Sequence, residues 1–169
     1  MKRISVLLVV LACVLTLSAQ KKDKSKAASG EKASSASADL WAGTWKLNPA
    51  KSKLLGQAPG EVTIKIDAAD ANSVKYTVTE KDASGAEHTE SYDGKPGVES
   101  ALTRDGQEEG KITYHRISAR HSTAKESMGD GSSGMENITM APDGKSFTVK
   151  AQIKDSKGVH QQTEVFEKQ

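Results

Sequence analysis

The sequence predicts an all-β fold, an up-and-down antiparallel β-barrel of about eight to ten strands. Three observations support this prediction. Short runs of alternating apolar and polar residues recur from residue 40 onward, tight turns rich in Asp and Gly separate them, and helical periodicity is scarce. A single sheet of so many strands would expose two edges, and closing it into a barrel removes both.

The first predicted strand covers residues 41–47 and holds both tryptophans of the chain. Aromatic residues make up only 4% of the sequence, so much of the scarce aromatic burial is concentrated here. The two-residue repeat of a strand places Trp41, Gly43, Trp45 and Leu47 on one face. We therefore predict a strand with one buried face, to which the last strand returns to close the barrel.

Residues 62–67 and 74–79 alternate in the same way and predict the next two strands. The segment Asp82–Ala86 has the residues of a three-residue hairpin loop with a left-handed glycine, so it pairs Asp82 with Ala86. Counting back from that loop pairs three couples on one face: Tyr76 with Tyr92, Val78 with Glu90, and Glu80 with His88. Polar side chains thus share a face with apolar ones.

The remaining predicted strands follow further breaks. Loops at residues 93–97, 105–110 and 129–134 separate strands at 98–104, 111–117, 120–128 and 135–140. A turn over Asp155–Val159 joins the last two strands, and its register pairs Lys150 with Glu164 and Val149 with Val165.

The amino-terminal residues 1–19 predict a signal peptide. Lys2 and Arg3 precede an apolar run that ends at Leu17, and small residues with a cleavage site after Ala19 follow it. We therefore expect export to the periplasm or the outside. A lipoprotein anchored through Cys13 is the minor alternative, because the residues before it match a lipobox poorly and the apolar run continues past it.

Residues 20–39 predict a disordered linker, and residues 40–169 a single barrel domain. The linker is rich in Lys, Ser and Ala and has no aromatic or branched apolar residue to bury. Its lysines permit weak contact with the cell envelope, although a solvated spacer is the simpler interpretation. The domain holds 17 basic and 19 acidic residues without an aromatic-interleaved basic patch, which argues against nucleic-acid binding. We expect a monomer.

Motifs for catalysis are absent from the sequence. Cys13 is the only cysteine and falls within the predicted signal peptide, so the mature chain has no thiol nucleophile. There is no Gly-x-Ser-x-Gly elbow or phosphate-binding glycine loop, and Glu108-Glu109 lacks a partner base. His115 and His121 flank a predicted hairpin but lack a third metal ligand. We therefore predict no enzyme activity, no metal site and no cofactor.

Both ends of the domain carry a family resemblance. Gly43-Thr44-Trp45 resembles the Gly-x-Trp signature of lipocalins. Together with the residues up to Asn48, the turn at 92–95 and the ending Phe166-Glu167-Lys168, it resembles small secreted bacterial barrels described as lipocalin-like. The opening strand and residues 163–168 also resemble intracellular fatty-acid-binding proteins, which implies a barrel but does not by itself establish a ligand.

One feature of the fatty-acid-binding family is missing. Its last strand offers an Arg and a Tyr, two positions apart, to hold a carboxylate, whereas Glu164 and Phe166 occupy the matching positions here. The resemblance therefore does not carry over that site.

The functional hypothesis is an exported, non-enzymatic binding protein that holds a small apolar or amphipathic molecule inside the barrel. The candidate ligand-binding residues are those on the predicted inner face: Trp45, Tyr76, Glu80, His88, Glu90 and Tyr92. The alternative is an envelope-associated interaction or scaffold module with a filled barrel and no small-molecule ligand.

Overall fold

The computed structural model describes residues 39–56, 58–82 and 84–169. The predicted signal peptide, Cys13 and all of the predicted linker except Asp39 lie outside these residues. The described part contains ten strands and one short 3-10 helix, Pro49–Lys51. In chain order the strands are β1 Gly43–Leu47, β2 Glu61–Ala69, β3 Val74–Lys81, β4 Glu87–Gly94, β5 Glu99–Arg104, β6 Gln107–Ser118, β7 His121–Met128, β8 Ser133–Met140, β9 Ser146–Asp155 and β10 Gly158–Lys168.

The ten strands form one closed antiparallel barrel in which each strand pairs with its neighbours in sequence. Strand β1 closes the ring by pairing with β10, where Leu47 lies opposite Phe166, and with β2, where Trp45 lies opposite Ile64. The predicted up-and-down barrel, and the return of the last strand to the first, are confirmed. None of the helices described in residues 39–169 is long and apolar enough to cross a membrane.

The predicted register between β3 and β4 is confirmed, whereas that between β9 and β10 is wrong by one residue. Gly158 pairs directly with Asp155 across a two-residue loop, and Val149 faces Glu164 rather than Val165. The Asp155 side chain accepts a hydrogen bond from the Lys157 amide at 2.7 Å, which stabilises the tighter loop. This shift places Glu164 opposite an apolar partner on the inner face of the barrel.

The predicted loop at residues 105–110 is also wrong beyond its first two residues. Strand β6 begins at Gln107, because Asp105 and Gly106 alone make the turn, with φ of 49° and 79°. Positive φ at both central residues is typical of a two-residue hairpin turn whose twist matches its strands. The run after Gly106 has no apolar alternation, which is why its sequence indicates a loop rather than a strand.

One end of the barrel, the closed end, is crossed by the segment Asp39–Ala42. The Asp39 carboxylate accepts from the Ala69 amide at 2.6 Å, and the Trp41 indole N–H donates to the carbonyl of Ala119 at 2.9 Å. Trp41 precedes β1 rather than lying within it, and it is buried nonetheless. The segment thus ties β2 to the turn between β6 and β7 and covers this end.

Aromatic side chains fill the interior beneath that segment. Trp45 is fully buried, donates its indole N–H to the carbonyl of Trp41 at 2.8 Å, and meets Phe147 edge-on at 5.0 Å between ring centroids. Phe147 in turn stacks on Phe166 at 4.9 Å. The apolar core of the protein therefore lies at the closed end.

Candidate functional site

Four glutamates lie on the inner face of the barrel, next to the buried apolar residues of their strands. In the register, Glu90 faces Val78, Glu126 faces Ile112, Glu136 faces Ala124 and Glu164 faces Val149. Because alternate residues of a strand share a face, each glutamate follows or precedes an inward apolar residue by two positions. We call this set the glutamate belt: Glu90, Glu126, Glu136 and Glu164.

The alternation explains how each carboxyl group reaches the interior. On β8, Glu136 shares the inner face with buried Ile138 and Met140, and on β10, Glu164 shares it with buried Phe166. Gly134 makes room beside the belt, since a Cβ atom there would lie 2.8 Å from a carboxylate oxygen of Glu126. The belt therefore has small neighbours as well as apolar ones.

Enclosure by the barrel wall raises the pKa of every belt carboxyl. The pKa of Glu90 rises to about 8, first through burial and then through repulsion from Glu126 and Glu109, with Arg104 opposing the change. The pKa of Glu164 rises to about 7, mainly through burial, with further repulsion from Glu126 and Glu80.

The pKa values of the other two belt carboxyls are also raised. Burial raises the pKa of Glu136 well above its usual value, and repulsion from Glu126, Glu164 and Glu90 adds to it. Burial also raises the pKa of Glu126, with repulsion from Glu109 as the second cause. The register places all four carboxyl groups on the inner face, so they repel one another across the interior.

Arg104 on β5 is the counter-charge at one side of the belt. It lies opposite Glu90 in the register, and its side chain is 9% exposed. One of its terminal nitrogens donates to Glu80 at 3.4 Å, whereas its Nε is buried without a hydrogen-bond partner among the described residues. The site thus combines several carboxyl groups with a single, incompletely paired guanidinium group.

The interior around the belt is accessible to water. The inward-facing residues Ile64, Tyr76 and Val78 are only half-buried, and so are the four belt glutamates. The hydrogen-bonded wall is closed on every side, so this exposure faces the inside of the barrel. At the closed end, by contrast, Trp45 and Phe166 have almost no exposed surface.

The structure places the six residues predicted as ligand-binding at different depths. Tyr76 stacks on Tyr92 at 5.5 Å between ring centroids, and both lie with Glu80 and Glu90 along the inner face of β3 and β4. Trp45 lies in the packed aromatic core and lines no open space.

His88 lies at the edge of that group, opposite Glu80 in the register. Its Nδ1 is 2.9 Å from a carboxylate oxygen of Asp105, in the turn between β5 and β6 at the end away from Trp41. The structure thus places five of the six residues along one face of β3 and β4 and separates Trp45 from them.

Sequence reasoning missed Arg104, Glu126, Glu136 and Glu164 as residues of the inner face. The alternation Glu136, Ile138, Met140 was a usable signal in the sequence. Glu164 was hidden by the error in the β9–β10 register, which paired it with Lys150. These four residues share one interior only because the barrel closes, and the sequence of a single strand does not show this.

Comparison with known proteins supports the fold. No family model matches the sequence, and no curated protein matches it. The chain is similar in structure to a variant of the fluorescent protein UnaG, with a TM-score of 0.50 and 15% identity over 77% of this chain and 96% of that one.

Two further solved structures are similar over the same share of this chain. A redesigned β-barrel has a TM-score of 0.48 and 12% identity, with 92% of that chain covered. A barrel named EF1p2_mFAP2b, bound to DFHBI, has a TM-score of 0.47 and 13% identity, with 94% covered. At this identity the likeness to UnaG concerns the fold alone.

Proposed function

We propose that this protein is a non-enzymatic binding protein that holds a small apolar or amphipathic molecule inside its barrel. The observation that carries this proposal is the contrast in exposure along the inner wall. Inward side chains in the middle of the barrel, such as Ile64 and Val78, keep access to water although a complete wall surrounds them. A side chain in a filled barrel of this size has no such access.

The chemistry of the inner wall suits an amphipathic guest. Ile64, Val78 and the ring of Tyr76, which stacks on buried Tyr92, offer apolar and aromatic surface. The glutamate belt and Arg104 offer a few polar groups on the same inner face. A mostly apolar cavity with a small number of polar groups is the usual character of a small-molecule site.

Native mass spectrometry of protein purified from the cells that make it tests the proposal directly. We expect a second species, heavier than the polypeptide by the mass of one retained small molecule, and binding of the apolar dye Nile red once that molecule is extracted. A bare polypeptide that also fails to bind Nile red would contradict the proposal and favour the filled-barrel alternative.

A pair of substitutions on β3 locates the binding space. Val78→Phe adds bulk to a half-buried, inward position, whereas Thr77→Phe adds the same ring to the outer face of the same strand. We expect Val78→Phe to weaken Nile red binding by about fivefold or more because the ring occupies the cavity. Thr77→Phe should leave the affinity unchanged, and an equal effect of both variants would place the dye outside the barrel.

We also propose that the protein is exported, because a charged, apolar and then small-residue order in residues 1–19 is typical of a signal peptide. Cell fractionation and mass spectrometry of the mature amino terminus test this. Recovery outside the cytoplasm with a terminus at Gln20 supports export without a lipid anchor, whereas a lipid-modified Cys13 terminus would favour the lipoprotein alternative. A cytoplasmic protein that still begins at Met1 would contradict export.

A further inference from the structure

The inner wall carries more negative charge than its own basic residues balance. Five inward glutamates, the belt and Glu80, occupy the half of the interior away from the closed end. Arg104 is the only Lys or Arg that the described strands place on the inner face of that half. The inward Arg116 and Lys168 lie instead against the rings of Trp41 and Trp45 at the closed end.

The lysines of the strands lie on the other side of the wall. Lys65, Lys75, Lys111, Lys125 and Lys150 are exposed and occupy outward positions. They cannot neutralise the belt, because the strand backbone separates the two faces. The inner wall is therefore anionic, whereas outer lysines pair with outward carboxylates, as Lys65 does with Asp67 and Lys75 with Asp93.

The arrangement suits an organic cation better than a metal ion. In residues 39–169, as far as they are described, no three His, Cys, Asp or Glu side chains are grouped closely enough to hold a metal. The belt carboxyls come instead from strands β4, β7, β8 and β10, around the circumference of the interior. Carboxyl groups arranged in this way suit an organic molecule whose positive group interacts with them while the rest of the molecule extends into the barrel.

Arg104 supplies a second, independent observation that points to a bound molecule. Its buried Nε–H has no hydrogen-bond acceptor among the described residues, although Arg104 lies beside Glu90 and donates to Glu80. A buried donor without a partner costs free energy, and Arg offers five donors in a fixed plane. An oxygen atom of a bound molecule would satisfy it.

We propose that the guest of this barrel is an amphipathic amine whose ammonium group lies within the glutamate belt. Its apolar body rests against Ile64, Val78 and Tyr76, and an adjacent hydroxyl or carbonyl oxygen accepts from Arg104. This inference rests on the proposed function, since it names the chemical class of the molecule held in the same cavity.

Three probes that share one apolar body test the head-group preference. Dodecylamine, dodecanol and dodecanoate are titrated at micromolar concentration and pH 8.5, by calorimetry, into full-length protein from which bound molecules have been extracted. We expect dodecylamine to bind about tenfold more tightly than dodecanol, the gain typical of a desolvated charge-assisted contact, and dodecanoate to bind most weakly.

A matched pair of variants assigns the preference to the belt. Glu136→Gln combined with Glu164→Gln keeps the shape of the inner wall and removes two carboxylates, so we expect the amine to lose its advantage over dodecanol. Glu87→Gln removes an exposed, outward carboxylate from the same strand as Glu90 and should leave the advantage intact. Equal losses in both variants would show attraction by net charge alone and overturn the proposal.

A fourth probe tests the role of Arg104. The compound 1-amino-2-dodecanol adds one acceptor oxygen beside the amine and should bind about threefold more tightly than dodecylamine, the value of one net hydrogen bond. Arg104→Gln should abolish this additional gain and leave dodecylamine binding in place. A gain that persists in the variant would contradict the assignment of the oxygen to Arg104.

The outcomes separate this inference from the proposed function. If dodecanol or dodecanoate binds as tightly as dodecylamine, the barrel is a binding protein without a preference for cations, and only the inference fails. If no probe binds, and Nile red does not bind either, the cavity itself is contradicted and both fail together.

Discussion

The two halves of the barrel interior differ in what they contribute. At the closed end, Trp41, Trp45, Phe147 and Phe166 pack against one another, and both indole N–H groups have acceptors. In the half that holds the glutamate belt, several carboxyl groups share one guanidinium group and keep access to water. The first half stabilises the fold, whereas the second half lowers its stability.

The physical reason lies in solvation. Burying apolar surface contributes about 25 cal/mol per Å², so the aromatic end gains free energy by excluding water. Enclosing a carboxyl group removes part of its hydration and disfavours its charged form, which is why the pKa of Glu90 rises to about 8. The well-packed aromatic end offsets the loss of stability that this region causes.

The largest expected effect is on the closed end. Trp45→Ala removes a side chain that has no exposed surface and packs edge-on against Phe147, so we expect the free energy of unfolding in urea to fall by about 4 kcal/mol. Val159→Ala, at a position 58% exposed, should change it by no more than about 0.5 kcal/mol. Similar losses in both variants would remove the distinction between a packed end and the rest.

The second effect is a fall in stability as pH rises from 5 to 8.5. The folded protein keeps protons on Glu164 up to a pKa of about 7 and on Glu90 up to about 8, whereas the unfolded chain releases them near 4.5. The folded state therefore binds more protons in this window, so its free energy of unfolding falls with rising pH, by roughly 2–4 kcal/mol. Urea titrations at several pH values measure it.

The groups that face Glu90 and Glu164 determine this slope: Glu80, Glu109, Glu126 and Glu136 increase it, and Arg104 opposes it. Glu90→Gln combined with Glu164→Gln should flatten the profile above pH 5. As the pH decreases below about 4, the free energy of unfolding should also fall. The reason is that hydrogen bonds hold the pKa values of Asp82, Asp105 and Asp155 below the usual value, and protonation removes these bonds. A profile that rises between pH 5 and 8 would contradict the enclosure of the belt.

The third effect is a gain from removing one belt charge. Glu136→Gln keeps the shape of the side chain but eliminates the carboxyl group that Glu126, Glu164 and Glu90 repel. We expect the unligated protein to become more stable by about 2 kcal/mol at pH 8.5, and little changed at pH 5. Glu87→Gln should show no gain at either pH, and a loss of stability in Glu136→Gln at pH 8.5 would indicate a structural role for that carboxylate.

The smallest effect is expected outside the barrel. Lys51 and Glu167 form an exposed ion pair at 2.7 Å, and the hydrogen bond from Lys51 is the main cause that lowers the pKa of Glu167. Solvent screens such pairs, so Lys51→Met should leave the urea midpoint unchanged within error. A measurable shift in this variant, comparable to that of a belt variant, would show that the two faces of the wall are energetically alike.

Much of the fold was predictable from local patterns. The alternation at 62–67 and 74–79, the hairpin at Asp82–Ala86 and the Gly43-Thr44-Trp45 opening predict strands that the structure contains. The errors fall where the local signal is weak. Gln107–Gly110 has no apolar alternation, and the turn after Asp155 closes with two residues rather than three.

The candidate site was predictable only along β3 and β4, where a clear turn sets the register that places Glu90 beside Val78. Glu126, Glu136 and Glu164 lie on strands far apart in sequence, so nothing local links them. The use of Trp45 as a packing residue rather than a cavity residue was likewise decided by its contacts with Trp41 and Phe147.

By itself, the sequence determined that this chain forms strands in a meander, because side-chain alternation and turn chemistry are local properties of the backbone. Only the tertiary structure decided which alternate residues face inward and meet: closing β1 onto β10 turns one face of every strand toward a common space. A glutamate that is ordinary on an open sheet is enclosed with three others once the ring is complete. Its electrostatics then depend on all four strands together.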